Sequence, residues 1–188
     1  MSAPRPIAEG KEIKLDPKRY IVSKTDVSGK IVYSNQYFSE ISGYTESELV
    51  GSPHNIVRHP DMPKAIFYLM WQRLRKGHNI MAVVKNLAKN GDYYWVTTDF
   101  EIKKGRMGKV RHYIAFRQAA PKHVVKSIEP LYARLRRIEE EEGMRASILY
   151  LETFLAEKGM DYDQFIEETA KPKGLYALLF AKMKKLFR

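Results

Sequence analysis

The chain is predicted to adopt an α+β fold, in which a five-stranded antiparallel sheet carries short helices on one face and a C-terminal helical extension follows. Two observations predict this layout. Two β-type segments precede three short helical patterns within residues 20–76, and three further β-type segments follow within residues 80–117. Short turns that contain glycine join the strands, so neighbouring strands pair antiparallel and the helices gather on one face of the sheet.

The first half begins with a polar leader, residues 1–19, which has turn character at Asp16-Pro17. Residues 20–26 and 30–34 are rich in β-branched residues and are predicted to form a hairpin around Ser28-Gly29. Two short helices are predicted next. Asn35 can cap the first, and the run Thr45-Glu46-Ser47-Glu48 resembles a capping box for the second.

The second half begins with the strongest helical pattern of this region, residues 64–76. Its apolar residues recur every three or four positions and give one apolar face: Ile66, Phe67, Met70, Trp71 and Leu74. Three strands then form a meander, and Asn90-Gly91 is a strong hairpin signal between two of them. Residues 110–116 alternate Val110, His112, Ile114 and Phe116 with Arg111, Tyr113, Ala115 and Arg117, which is typical of a half-buried strand.

A polar loop that contains three prolines, residues 52–63, connects the second and third helices. Each proline lacks an N–H and fixes φ, so the loop cannot form a regular helix or a central strand. It carries His54, Asn55, Arg58, His59 and Asp61. Asp61 is also a candidate N-cap for the helix that begins near Pro63. A stiff loop with these side chains favours a ligand-binding wall, while a capped surface connection explains them equally well.

Composition narrows the classes of function. The chain has no cysteine, which excludes disulfides, thiolate catalysis and thiolate metal sites. It lacks a phosphate-binding glycine-rich loop and the common hydrolase motifs, so it is not expected to be an enzyme. No apolar run reaches the roughly 18–20 residues of a membrane span and no signal peptide begins the chain, which favours a soluble, cytoplasmic protein. The net charge is +11, but no nucleic-acid-binding motif accompanies it, so nucleic acid is not expected as a partner.

The part after residue 120 is predicted to be helical and divides in two. Residues 121–158 carry an apolar stripe that Gly143 interrupts, with Pro130 as a kink, and a short helix follows at residues 162–169. This extension, residues 121–170, must bury its apolar face against the sheet, against itself or against a partner. Residues 171–188 hold six basic residues and no acidic one. They form a basic amphipathic helix that suits an anionic membrane surface, an acidic groove on a partner or a docked position on its own domain.

Residues 20–120 resemble a PAS domain, and more narrowly the flavin-binding sensor of aerotaxis receptors (Aer type). Four motifs carry the resemblance in order and spacing: Ser42-Gly43-Tyr44-Thr45, the run from Pro53 through Arg58-His59-Pro60-Asp61-Met62-Pro63 to Ala65, Val84-Lys85-Asn86, and Lys89-Asn90-Gly91-Asp92-Tyr93-Tyr94-Trp95-Val96. A PAS domain without a methyl-accepting region is similar to CetB-type energy-taxis proteins, which pair with a separate membrane transducer.

The resemblance implies noncovalent FAD and a set of positions that hold it. Arg58, His59 and Asp61 stand where the family holds the cofactor, Trp71 matches a tryptophan that stacks near the flavin, and Asn86 matches an asparagine in the cavity. Asn35, Phe67 and Tyr94 complete the implied set. One departure is Ile80, which stands where the aerotaxis pattern has a tryptophan. The resemblance also implies a homodimer and a membrane-bound chemotaxis transducer as partner. Peripheral contact with the inner face of the cell membrane is suggested instead by the basic, amphipathic pattern of residues 171–188.

Two other functions stay open at this point. Some PAS domains bind haem through a histidine and sense gases, but none of the five histidines (His54, His59, His78, His112 and His123) falls on the helix of residues 64–76 that usually supplies the ligand. A ligand-free PAS domain that acts as a docking module is the other alternative. An absorption spectrum separates the three.

Overall fold

The computed structural model describes residues 6–170, and its centre is a five-stranded antiparallel sheet. The strands follow the spatial order β2-β1-β5-β4-β3, with the long central strands β4 and β5 paired over most of their length. The strands are β1 (Ile21–Thr25), β2 (Ile31–Ser34), β3 (Ile80–Leu87), β4 (Tyr93–Lys104) and β5 (Val110–Ala119). The predicted α+β fold is therefore confirmed.

Six α-helices accompany the sheet in residues 6–170: α1 (Gln36–Ser42), α2 (Glu46–Leu49), α3 (Lys64–Arg75), α4 (Lys122–Glu141), α5 (Met144–Glu157) and α6 (Tyr162–Ala170). A single 3₁₀ turn, His54–Val57, lies in the proline loop. The Asn35 side chain caps α1, and Thr45 and Glu48 form the predicted capping box of α2. These local signals were sufficient because each cap bonds to backbone within three residues.

Helices α4 and α6 of the extension cover the face of the sheet that points away from α3. Tyr94 and Trp95 are consecutive in β4, so their side chains point to opposite faces. Tyr94 lies opposite Asn86, whose side chain is on the α3 side, whereas the Trp95 ring lies 6.3 Å from the ring of Tyr132 in α4. The Tyr132 hydroxyl donates to the Val83 carbonyl at 2.7 Å. The apolar face of α4 is thus buried against the sheet of its own domain.

This cover changes the interpretation of β5. The alternating pattern predicts a strand with one exposed face, but residues 113–118 are all buried. Ile114 and Phe116 form a small apolar cluster with Val22 on one face, while Tyr113, Ala115 and Arg117 point to the other. The prediction of a half-buried strand is wrong for this part because side chains on both faces of β5 are buried.

The extension also returns to the start of α3. The N-cap position of α3 is Pro63, which offers no side-chain cap, and the predicted cap Asp61 is not used there. Instead, Glu139 of α4 accepts a hydrogen bond from the Ala65 N–H at 2.8 Å. The Asp61 prediction failed because a residue 74 positions away in the chain supplies the acceptor. The helix α4 continues through Pro130, and the break at Gly143 between α4 and α5 is confirmed.

The leader joins the sheet at the start of β4. The Ile13 N–H donates to the Tyr93 carbonyl at 2.7 Å, and the Tyr93 N–H donates to the Lys11 carbonyl at 3.0 Å. These bonds occupy a stretch of β4 that lies beyond the end of β5. None of the helices within residues 6–170 is long and apolar enough to cross a membrane.

Candidate functional site

A cavity of about 620 Å³ lies between the inner face of the sheet and α3, with the proline loop at its edge. This volume falls within the ~300–1,000 Å³ typical of cofactor pockets. Four of the eight predicted site residues line it: Arg58, Phe67, Trp71 and Asn86. The sheet, the loop and the helix therefore bring together residues that are up to 28 positions apart in sequence.

The aromatic wall of the cavity comes from α3 and β5. The Trp71 ring meets the Tyr113 ring edge to face, with centroids 5.4 Å apart. Gly29 sits against the same indole with φ +86°, and a Cβ there would approach Trp71 Cζ2 to 3.2 Å. Glycine thus permits both the left-handed turn of the β1–β2 hairpin and its close approach to the tryptophan. Phe67 lies one turn earlier on the same face of α3, so the wall presents an apolar aromatic surface.

Arg58 stands where the proline loop meets the sheet. Its backbone forms an isolated antiparallel bridge with Asn86 of β3, which fixes the loop against the edge of the sheet. Its guanidinium lies 4.2 Å from the centroid of the Phe67 ring and donates to the Met62 carbonyl at 3.0 Å. A planar guanidinium held in this way at the cavity wall suits the oxygens of a phosphate.

Asn86 and Tyr94 are paired across β3 and β4, and both are buried. Within the described part of the chain, neither Asn86 Nδ2 nor the Tyr94 hydroxyl has a hydrogen-bond partner of good geometry, although the Asn86 amide lies close enough to the Tyr94 phenol to lower its pKa slightly. Burial raises the pKa of the Tyr94 phenol, so it stays protonated at neutral pH. Buried polar atoms are rarely left without a partner, and the amide of Asn86 faces the cavity, so it is a natural contact for a polar ligand edge.

Among the cavity residues that were absent from the predicted site, three polar ones contact one another: Arg117, His54 and Ser23. Arg117 is only 2% exposed, and its guanidinium donates to His54 Nε2 at 2.6 Å and to Ser23 Oγ at 3.0 Å. Burial lowers the pKa of Arg117 to about 10, and burial with the Arg117 charge lowers the pKa of His54 well below its ordinary value. Arg117 is therefore cationic and His54 neutral at pH 7. In the alternation of β5, Arg117 falls in one set with Arg111, Tyr113 and Ala115, and this pattern alone does not indicate that its side chain lines a cavity.

His59 and Asp61 lie on the other side of β3 from the cavity lining. The Asp61 carboxylate accepts from Lys85 Nζ at 2.6 Å, and Lys85 precedes Asn86, so its side chain points to the opposite face. Burial opposes ionisation of Asp61, but the hydrogen bond and charge of Lys85 outweigh it and lower the pKa of this carboxyl. His59 Nδ1 accepts from the Asp61 N–H at 3.1 Å, and burial followed by the Lys85 charge lowers the pKa of His59 to about 4.

The remaining predicted positions are also outside the cavity lining. The Asn35 side chain is fully used locally: its oxygen accepts from the N–H groups of Val22 and Phe38, and its amide donates to the Tyr20 carbonyl. Ile80 is buried in the core at the start of β3. The predicted cofactor contacts of Asn35, His59, Asp61 and Tyr94 stay predictions, because none of these residues lines the cavity.

The residues that line the cavity fit a flavin. An isoalloxazine ring needs an apolar aromatic slot, which Trp71, Phe67 and Tyr113 supply, and polar groups at its edge, which Asn86 supplies. Haem fits less well, because His54 is the histidine that lines the cavity in residues 6–170, and its Nε2 already accepts from Arg117 and Ser23.

Comparison with known proteins agrees with this geometry. Residues 31–117 match the family described as "PAS fold". The chain is 45% identical over 115 residues to the aerotaxis receptor of Escherichia coli, covering 61% of this chain and 22% of that receptor. It is 27% identical over 97 residues to the nitrogen fixation regulatory protein of Klebsiella pneumoniae, covering 52% of this chain and 20% of that protein. The chain thus spans only about a fifth of these relatives.

Solved structures show the same fold. The light state of the LOV domain of the blue-light photoreceptor Aureochrome1 superposes with a TM-score of 0.50 and 19% identity, over 64% of this chain and 91% of that one. A light-oxygen-voltage domain studied with a flavin analogue gives a TM-score of 0.50 and 24% identity, over 65% of this chain and 87% of that one. At these identities the likeness extends to the fold alone.

Proposed function

Because this chain carries a PAS domain of the aerotaxis-receptor type, we propose that it is a flavin-binding redox sensor for aerotaxis or energy taxis. The observation that supports this most is the cavity itself. It combines an aromatic wall, a guanidinium at its edge and the buried amide of Asn86, whose nitrogen has no hydrogen-bond partner of good geometry within residues 6–170. A flavin supplies reversible electron transfer, which side chains do not, and the protein holds and orients it.

We assign the cofactor contacts from the positions of these groups. Trp71 and Phe67 hold the ring system, and the Asn86 amide pairs with the polar edge of the ring. Arg58 binds the phosphates, and its position at the junction of loop and sheet favours a ligand that extends from the ring to the protein edge, such as FAD.

We propose that a change in the redox state of the cofactor is transmitted from the cavity through the proline loop to α4. Arg58 lies inside this loop, and α4 is tied to the loop and to the helix after it. Arg136 donates to the Pro60 carbonyl at 2.6 Å, and Glu139 accepts from the Ala65 N–H. Met144, the first residue of α5, also lines the cavity. A change in how the cofactor holds Arg58 therefore has a short mechanical path to the extension.

The output of the sensor is also a proposal, and it is based on the resemblance to aerotaxis receptors. We propose that the extension (residues 121–170) relays the signal and mediates a homodimer, and that the partner is a membrane-bound chemotaxis transducer. The basic segment 171–188 lies outside the described residues, and its contact with an anionic membrane at the cytoplasmic side stays a proposal based on its charge and apolar face.

An absorption spectrum of the purified protein tests the proposal. Oxidised flavin absorbs at about 450 nm. Chromatography of the cofactor released by heat distinguishes FAD from FMN. We expect the band in the wild type, a strong loss in Trp71→Ala, and no change in the exposed control Arg106→Ala. A haem spectrum would favour the gas-sensing alternative, and a protein without any chromophore would favour the docking module.

A further inference from the structure

Arg117 carries a buried positive charge that no carboxylate neutralises within residues 6–170. Its hydrogen bonds go to three neutral acceptors, the Ser23 hydroxyl, His54 Nε2 and the Ala115 carbonyl. A buried cation is costly unless an anion compensates it. Hydrogen bonds to neutral groups hold the guanidinium in place, but they leave its charge unbalanced.

His54 cannot relieve this charge. Its Nε2 accepts from Arg117 and from Ser23, so that nitrogen must be unprotonated, and a second positive charge 2.6 Å from the guanidinium would be strongly repelled. The cluster of Arg117, His54 and Ser23 therefore carries one net positive charge at neutral pH. Ser23 and His54 together act as a neutral cradle that orients the guanidinium.

The charges of the side chains that line the cavity also favour an anionic ligand. Four cationic side chains line it, Arg58, Lys64, Arg75 and Arg117, and the described lining includes no aspartate or glutamate. Lys64 and Arg75 are exposed, and Arg58 is half-buried at the edge, so water screens them. Arg117 alone of the four is deeply buried, on the inner face of the central strand β5. Its charge therefore acts on the ligand at short range and low dielectric.

We propose that Arg117 is an anion-binding subsite in the floor of the cavity, and that the charge it takes is that of the reduced flavin ring. This inference rests on the proposed function. Oxidised flavin is neutral at its ring. When an external reductant, such as a reduced electron carrier, transfers two electrons to it and water supplies one proton, the ring carries one negative charge and the reductant is oxidised by two electrons. The buried guanidinium attracts that charge, so the cavity binds reduced flavin more tightly than oxidised flavin, and the midpoint potential of the bound cofactor rises.

Two variants remove the charge by different routes. Arg117→Gln deletes the guanidinium, whereas Ser23→Asp places a carboxylate next to it and neutralises it in place. Arg117→Lys keeps a positive charge, and Arg111→Gln removes an exposed arginine from the same strand as a control. Circular dichroism and thermal melts establish which variants fold. If Arg117→Gln does not fold, Ser23→Asp carries the test.

The measurement is a redox titration of the flavin-loaded proteins, with xanthine and xanthine oxidase as the electron source. We expect the charge-removing variants to lose at least about tenfold in the preference for reduced over oxidised flavin, which for a two-electron couple lowers the potential by about 30 mV. Arg117→Lys should recover part of the potential that Arg117→Gln loses, because it restores a positive charge without the fork of the guanidinium, and Arg111→Gln should stay at the wild-type value. An unchanged potential in both Arg117→Gln and Ser23→Asp would overturn the inference and leave the flavin proposal intact.

Binding of three flavins separates the ring from the phosphates. The unfilled protein is titrated with riboflavin, FMN and FAD in their oxidised forms, followed by quenching of flavin fluorescence. If Arg117 faces the ring, Arg117→Gln changes the affinity for all three to a similar extent. A loss for FMN and FAD with riboflavin unaffected would show that Arg117 holds phosphate and would overturn the assignment to the ring. A wild type that binds none of the three would overturn the proposed function itself.

Discussion

The two faces of the central sheet are both covered, yet they are built for different purposes. On the outer face, α4 seals the strands with side chains such as Leu135 and Ile128, which are fully buried. On the inner face, α3 stands away from the strands and leaves a cavity, and the residues beneath it include Arg117 and Asn86. One sheet thus packs against helices on one side and borders a cavity on the other. The proline loop joins the two, because Arg58 lies at the cavity while Asp61 and Pro60 contact groups on the α4 side.

The largest effect should come from breaking the outer face. Leu135→Ala removes a fully buried side chain from the sealed interface, and we expect it to reduce the free energy of unfolding by about 2–5 kcal/mol. Phe67→Ala, in the cavity wall, should cost less, because its side chain is half-buried and borders an existing cavity. Urea denaturation of both variants measures the difference. The comparison would be wrong if Phe67→Ala destabilised the unfilled protein as much as Leu135→Ala does.

The same contrast explains which parts of the structure could be predicted from sequence. The order of strands and helices and the caps at Asn35 and Thr45 were predictable, because turns and caps are encoded by neighbours in the chain. The inner residues of β5 were not. A strand that lines a ligand cavity places polar groups such as Arg117 inward, and this reverses the usual association of polar residues with solvent.

Long-range contacts were the second limit. The hydrogen bond from the Ala65 N–H to Glu139 joins two helices that are far apart in sequence, and no local sequence pattern predicts it. The predicted cap Asp61 was a reasonable choice from spacing, but Lys85 on the neighbouring strand takes its carboxylate instead. Four of the eight site residues implied by family resemblance line the cavity, whereas Asn35, His59, Asp61 and Tyr94 are in supporting positions.

An intermediate loss of stability is expected from a variant at Glu139, where α4 contacts the start of α3. Glu139→Ala removes the acceptor at the N-terminus of α3, and we expect a loss of about 1 kcal/mol, similar to the removal of a helix cap. The effect should be concentrated at the loop, so hydrogen exchange at the Ala65 amide should accelerate more than exchange in β4. Glu129→Ala, at an exposed position of the same helix, is the control. Equal acceleration across the whole domain would mean that Glu139 supports global stability rather than the loop.

The smallest effect concerns protonation at the junction of loop and sheet. Folding lowers the pKa of His59 to about 4, so near pH 6 the unfolded chain binds a proton that the folded protein does not. Stability therefore falls as the pH drops below about 6.5 and continues to fall until about pH 4. Between pH 8 and pH 6 the contribution of His59 is about 0.8 kcal/mol by linkage.

His59→Asn tests this term, because the asparagine oxygen can still accept from the Asp61 N–H but the residue does not titrate. We expect its free energy of unfolding to decline less steeply with acid than that of the wild type over pH 8–5. His54 also has a lowered pKa, so part of the decline should persist in the variant. Parallel curves for wild type and variant would show that folding leaves the pKa of His59 unchanged, so that neither burial nor the Lys85 charge opposes its protonation.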